Sequence, residues 1–175
     1  MNFCTPINIT TRKILKTVSK KILAAAVILI ALIFKLTAEK IYIAAETGGG
    51  TEIVAAVDAN KKTSLEISFI HSVQKTPVIE ELEFDGEDFI LLRTRYKSQG
   101  VGLPFMESDG VFREEGGWFI MDDMNRRIKN LSLRTGVGTQ LTLTLNGEKF
   151  ELYKKFPPGT KIIIETAPAG KLLAM

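Results

Sequence analysis

Three features of the 175-residue sequence predict an all-β fold, an antiparallel sandwich or partly open barrel, behind one N-terminal membrane-targeting helix. Beyond residue 39 apolar and polar residues alternate with period two. β-Branched and aromatic runs recur there at roughly 8–12-residue intervals, separated by Gly, Pro, Asn and Asp. A single uninterrupted apolar run, Ile22 to Phe34, stands near the start between Lys20-Lys21 and Lys35.

That run is the first element. Its 13 residues reach roughly 20 Å as a helix, short of the roughly 30 Å hydrocarbon core, which is the length of a signal-peptide apolar region. Leu36, Thr37 and Ala38 lengthen it if Lys35 snorkels, and no small-x-small cleavage site follows. An uncleaved anchor over residues 22–38 is therefore the favoured reading, a removed signal peptide the alternative. Arg12, Lys13, Lys16, Lys20 and Lys21 precede the first acid, Glu39. This basic arm, residues 1–21, is expected to stay in the cytoplasm and to place the body, residues 39–166, on the extracytoplasmic side of the cell membrane, ahead of a tail over 167–175. Cys4 precedes the apolar run, which is the wrong side for lipoprotein acylation.

The strands follow from the alternation: 40–45, 52–58, 65–71, 78–84, 88–97, 118–122, 128–134, 140–145, 148–154 and 161–165. Asp85-Gly86 and Asn146-Gly147 carry hairpin turn chemistry. Gly48-Gly49-Gly50 reads as a linker or a turn. Gly100 to Gly117, poor in periodicity, reads as one long loop and the best address for a site.

Composition narrows the function. From residue 39 onward there are 17 Lys or Arg against 20 Asp or Glu, so the body has no basic excess for a phosphate backbone, and nucleic acid is not an expected partner. With its only cysteine in the arm and a single histidine, the chain offers no internal disulfide, no thiolate site and few metal ligands. No cofactor is expected. A serine triad fails as well, because Ser72 follows His71 directly and points to the opposite strand face. Glu114-Glu115 and Asp122-Asp123 read as solvated doublets, and Trp118 and Phe119 as core at a strand start.

Two ionisable residues interrupt apolar faces. Ile67, Phe69 and His71 share one face of a strand, and Val78, Glu80, Leu82 and Phe84 share one face of the next. A register of 67 opposite 84, 69 opposite 82 and 71 opposite 80 pairs every apolar residue with another and sets His71 against Glu80. Three readings stay open: a polar pair that pins the register, a site where His71, Glu80 and Ser72 hold a polar ligand, or a metal site, for which one histidine and scattered carboxylates supply few ligands. In Ser98-Gln99-Gly100-Val101-Gly102-Leu103-Pro104 the glycines read either as a turn needing positive φ or as backbone amides open to a ligand. Arg134-Thr135-Gly136-Val137-Gly138 repeats the pattern.

Phe69-Ile70-His71-Ser72-Val73, Thr76-Pro77-Val78-Ile79-Glu80 and Ser98-Gln99-Gly100-Val101-Gly102-Leu103-Pro104, in this order, resemble the family called domain of unknown function 1850. The likeness extends over roughly residues 40–166, with Val101 where the family usually has alanine. The resemblance implies a setting: short membrane-anchored bacterial and archaeal proteins beside, or fused to, TRAP-type solute transporters of the TAXI class. It implies no chemistry. His71, Ser72, Glu80, Ser98, Gly100 and Gly102 carry over as candidate binding residues. The expected function is a non-enzymatic accessory that touches a TRAP permease or its solute-binding protein, or holds a small anionic solute. A hydrolase using His71 and a purely structural envelope protein are the alternatives.

Overall fold

The computed structural model describes residues 9–100 and 102–172; Cys4, the first part of the basic arm, Val101 and residues 173–175 lie outside them. Helix α1, Ile9–Thr37, takes in both the later arm and the apolar run. Its apolar side chains are uncovered on every side, from Ile22 and Leu23 through Ile28 and Leu32 to Phe34. No helix among the described residues is long and apolar enough to cross a membrane. The helix closes where the Thr37 hydroxyl bonds back to the Ile33 carbonyl at 3.0 Å. Only Ala38 separates it from strand β1, Glu39–Thr47.

The body is two open antiparallel sheets. The smaller has the order β2-β1-β12-β9, built from β1, β2 (Gly50–Asp58), β9 (Leu131–Arg134) and β12 (Lys161–Pro168). The larger runs β11-β10-β3-β4-β5-β7-β6, from β3 (Ser64–Ile70), β4 (Pro77–Phe84), β5 (Phe89–Tyr96), β6 (Val111–Glu115), β7 (Trp118–Asp122), β10 (Thr142–Leu145) and β11 (Glu148–Glu151). Strand β8 (Arg126–Ile128) pairs with β5 beside β7. Short helices α2 (Leu152–Lys155) and α3 (Ala169–Leu172) follow β11 and β12.

Alternation decides what lies between the sheets. Ile41, Ile43, Ile162 and Ile164 of the smaller sheet meet Leu65, Ile67, Leu82, Leu143 and Leu145 of the larger in one buried core. A second cluster, Val78, Tyr96 and Leu103 with Phe69 and Phe119, lies under the loop after β5. The outward face of the larger sheet carries an ion ladder. Arg95 reaches Glu81 at 2.8 Å, Arg93 reaches Glu81 at 3.2 Å and Asp122, and Arg113 reaches Asp122 at 2.6 Å. Each such part-exposed pair contributes about 0–1 kcal/mol, against about 1.5–3 kcal/mol for a fully buried aliphatic side chain, so the core sets the fold.

Several expectations are corrected. Of the two readings of Gly48-Gly49-Gly50 the turn holds, with Gly48-Gly49 closing the β1–β2 hairpin and Gly50 opening β2. The expected loop over 100–117 contains β6, which doubles back on β7 through Gly116 and Gly117, both at positive φ. The expected strand 128–134 is two strands in different sheets, broken at Lys129-Asn130, where the chain crosses the core. Phe119 joins the core, but Trp118 lies outside it beneath Lys97, whose Nζ is 4.4 Å from the ring centre.

The hairpins give the sandwich two poles. Ala38 at the end of α1, the start of β3 and the end of β4 lie at one pole, where the Lys62 amide bonds to the Phe84 carbonyl at 2.8 Å and Ala59 to Glu39 at 3.0 Å. Also there, the Ala169 amide bonds to the Ala38 carbonyl at 2.9 Å, and Gly170 lies against Leu36. The end of β3, the start of β4 and the end of β5 lie at the opposite pole, one strand length away, roughly 23 Å for the seven residues of β3.

Candidate functional site

At the pole opposite α1, β3 turns into β4 through residues 71–76. The His71 amide donates to the Thr76 carbonyl at 2.9 Å, and the Lys75 amide to the His71 carbonyl at 3.0 Å. The ring finishes the turn: Nδ1 of the buried His71 accepts from the amides of Val73 at 3.2 Å and Gln74 at 3.3 Å. An imidazole so held carries its proton on Nε2 when neutral. Ser72, next in the chain, is exposed.

The loop after β5 packs against this turn. A Cβ at Gly100 would lie 2.8 Å from Gln74 Cδ and Oε1, so the absent side chain is what admits Gln74. Gly102 has φ +85° with open space around it, a conformation that favours glycine. Further on, the Tyr96 hydroxyl donates to the Pro104 carbonyl at 2.5 Å, and one Asp109 carboxylate oxygen accepts from the amides of Phe105 and Met106. Tyr96, Gln99, Gly100, Leu103 and Phe105 line a pocket of about 350 Å³. Behind Gly100, Gln74 Oε1 and, in the same turn, Thr76 Oγ1 are buried with no hydrogen-bond partner among the described residues. Such atoms cost about 1–3 kcal/mol each unless something pairs with them.

A third loop closes the pole. The Ile70 amide donates to the Thr139 carbonyl at 2.6 Å, which brings residues 135–141 beside the turn. Its glycines repeat the division of labour. Gly136 leaves room for Thr139, which a Cβ would meet at 2.8 Å, and Gly138 has φ +71°.

Glu80 is not part of this cluster. The register of β3 on β4 sets Ile67 opposite Glu80, Leu65 opposite Leu82 and Phe69 opposite Val78. The expected pairing of His71 with Glu80 is therefore wrong, and the two stand roughly 13 Å apart along the strand. A tight six-residue turn capped by the imidazole, with Pro77 opening β4 at once, overrides the apolar-to-apolar match. Glu80 lies instead on the inward face, between Ile67 and the buried Thr94, in the seam between the two apolar clusters. Burial there raises its pKa, and the nearby Arg126 opposes the shift only in part.

The model of the family described as Domain of unknown function (DUF1850) matches residues 65–152. The chain belongs to this family. The DUF1850 segment runs from β3 to the start of α2, so it holds the whole larger sheet and all three loops of the pole, and leaves α1, β1, β2 and β12 outside. No curated protein and no solved structure matches the chain.

Of the residues singled out in the sequence, the fold gathers His71, Ser72, Ser98, Gly100 and Gly102 at one pole and leaves Glu80 in the interior. Gln74, Thr76, Tyr96 and Phe105 complete the site. Gln74 and Thr76 follow the motif histidine, but nothing in local spacing shows that their polar atoms are buried or that Gln74 lies against Gly100. Among the described residues no group of three or more His, Cys, Asp or Glu could hold a metal ion.

Proposed function

We propose that this protein is a membrane-attached binding module, an accessory of a TRAP-type solute transporter, with α1 in the bilayer and its site at the far pole of the sandwich. The observation that carries the reading is the polarity of the molecule. One end is a helix with apolar residues exposed on every side, and the other gathers a pocket, two orphaned polar atoms and the family's motif residues. A helical stretch with no polar face, as Ile22–Phe34 is, is covered by a core or by lipid, and among the described residues no core covers it. Lysines at both ends of Ile22–Phe34 suit a short insertion with snorkelling side chains. The extracytoplasmic placement of the body follows from the same basic arm.

Binding, not catalysis, is the better fit for His71, because Nδ1 is committed to two backbone amides and cannot serve as a base. The test is co-purification of the full chain with the transporter from native membranes in mild detergent. The permease or its solute-binding protein is expected with the wild type, in several-fold lower yield with Gly100→Ala, whose methyl would push Gln74 aside. Recovery of neither component with the wild type would overturn the reading.

A further inference from the structure

The inward face of β4 presents Val78, Glu80 and Leu82 in turn, and on β5 the partners of the first two are Tyr96 and Thr94. Val78 and Tyr96 belong to the cluster under the loop after β5, while Leu82 belongs to the main core. Glu80 therefore stands in the row between the two clusters, flanked across the sheet by Ile67 and Thr94, both fully buried. The loop is anchored on the next row: Leu103 packs with Val78 and Tyr96, and the Tyr96 hydroxyl donates to the Pro104 carbonyl. We infer that Glu80 is a proton-operated latch of this loop, residues 97–110. With its proton it lets the two clusters close on each other. Without it the carboxylate draws water into the row and frees the loop that carries Gly100, Leu103 and Phe105.

An interior holds a carboxylate cheaply only where hydrogen bonds or charges replace its water. Among the described residues no hydrogen bond reaches Glu80. The adjacent Thr94 hydroxyl donates instead to Met124 Sδ at 3.3 Å. Glu66, Arg93 and Arg95 of the flanking strands lie in the outward ion ladder, and the smaller sheet meets the core with Leu131, Ile162 and Ile164. Within the loop, Lys97 is taken by the Trp118 ring, Glu107 is exposed, and Asp109 holds the amides of Phe105 and Met106. Arg126, exposed at the start of β8, is the one charge that acts on Glu80, and burial outweighs it. The folded chain thus keeps this proton to higher pH than the open one, so the latch is closed in acid and released as pH rises.

Hydrogen exchange of the full chain in detergent micelles tests the latch. It is read at the Leu103 amide, which donates to the Gly100 carbonyl at 3.2 Å, and corrected for intrinsic exchange between about pH 5 and about pH 8. Protection there is expected to fall with rising pH, by up to about tenfold per pH unit until the folded chain ionises as well. Glu80→Gln should keep the acid-side protection throughout. Arg126→Gln removes the charge that eases ionisation and should open the loop several-fold further at the upper end. Loss of charge at Asp109 would loosen the loop in acid, the opposite trend, so the sign separates the two carboxylates. Leu103 protection that ignores pH would overturn the latch even where global stability falls, because Glu80 would then ionise without releasing the loop. So would a fall that survives Glu80→Gln. The latch stands or falls by exchange whether or not the transporter co-purifies, which tests the accessory role alone.

Discussion

Gly100 and Gly102 belong to one motif and answer to different constraints. At Gly100 a methyl would strike only the far end of the flexible Gln74 side chain, which can swing away. Gly100→Ala is therefore expected to change stability by less than about 1 kcal/mol while displacing Gln74 from its seat behind Gly100. At Gly102 there is space but φ is +85°, so Gly102→Ala should cost about 1–2 kcal/mol and leave Gln74 in place. Urea melts of both variants check this, and equal stability losses would contradict it. Glu80 gives a pH signature. Its folded pKa lies above its unfolded value, so as pH rises from about 4.5 the unfolded chain releases its proton first and stability falls. Glu80→Gln should remove that fall and be the more stable form at neutral pH. Asp122 acts in a lower window. Burial would raise its pKa, but hydrogen bonds from Arg93 and Arg113 hold it below the usual range, so its contribution is lost only as pH drops further. Denaturation curves at several pH values separate the two.

Among the elements, the β3–β4 hairpin teaches most about what sequence can reveal. Alternation found both strands and their inward faces, including the two ionisable exceptions. It missed the register, because matching apolar to apolar residues cannot see that an imidazole will cap a short turn. If that cap is the ring's role, His71→Asn should hold the turn through its side-chain oxygen, while His71→Ala loses two hydrogen bonds and about 1–3 kcal/mol. Thermal melts of the two variants decide, and equal loss in both would contradict the cap. Strand β6 escaped for a different reason. Val-Phe-Arg-Glu-Glu has no clean alternation, and only pairing with β7 makes it a strand. Within the expected strand 128–134 only Leu131 to Arg134 alternate; Ile128 is out of phase with Leu131 and Leu133, and Lys129-Asn130 carries the chain from one sheet to the other.

At the scale of the whole molecule, the all-β class and the apolar run were readable from the sequence. The relation between them was not. That α1 leaves one pole while the motif loops gather at the other follows from strand directions, which local patterns do not contain. The polar arrangement is the central claim, and spin-label accessibility of the full chain in phospholipid vesicles tests it most directly. With Cys4 replaced by serine, single cysteines at Ile28 and Val137 carry nitroxides. Collisions with a water-soluble nickel chelate and with lipid-soluble oxygen are then compared. Ile28 is expected to be open to oxygen and shielded from nickel, with Val137 the opposite. Nickel access at Ile28 equal to that at Val137 would contradict it.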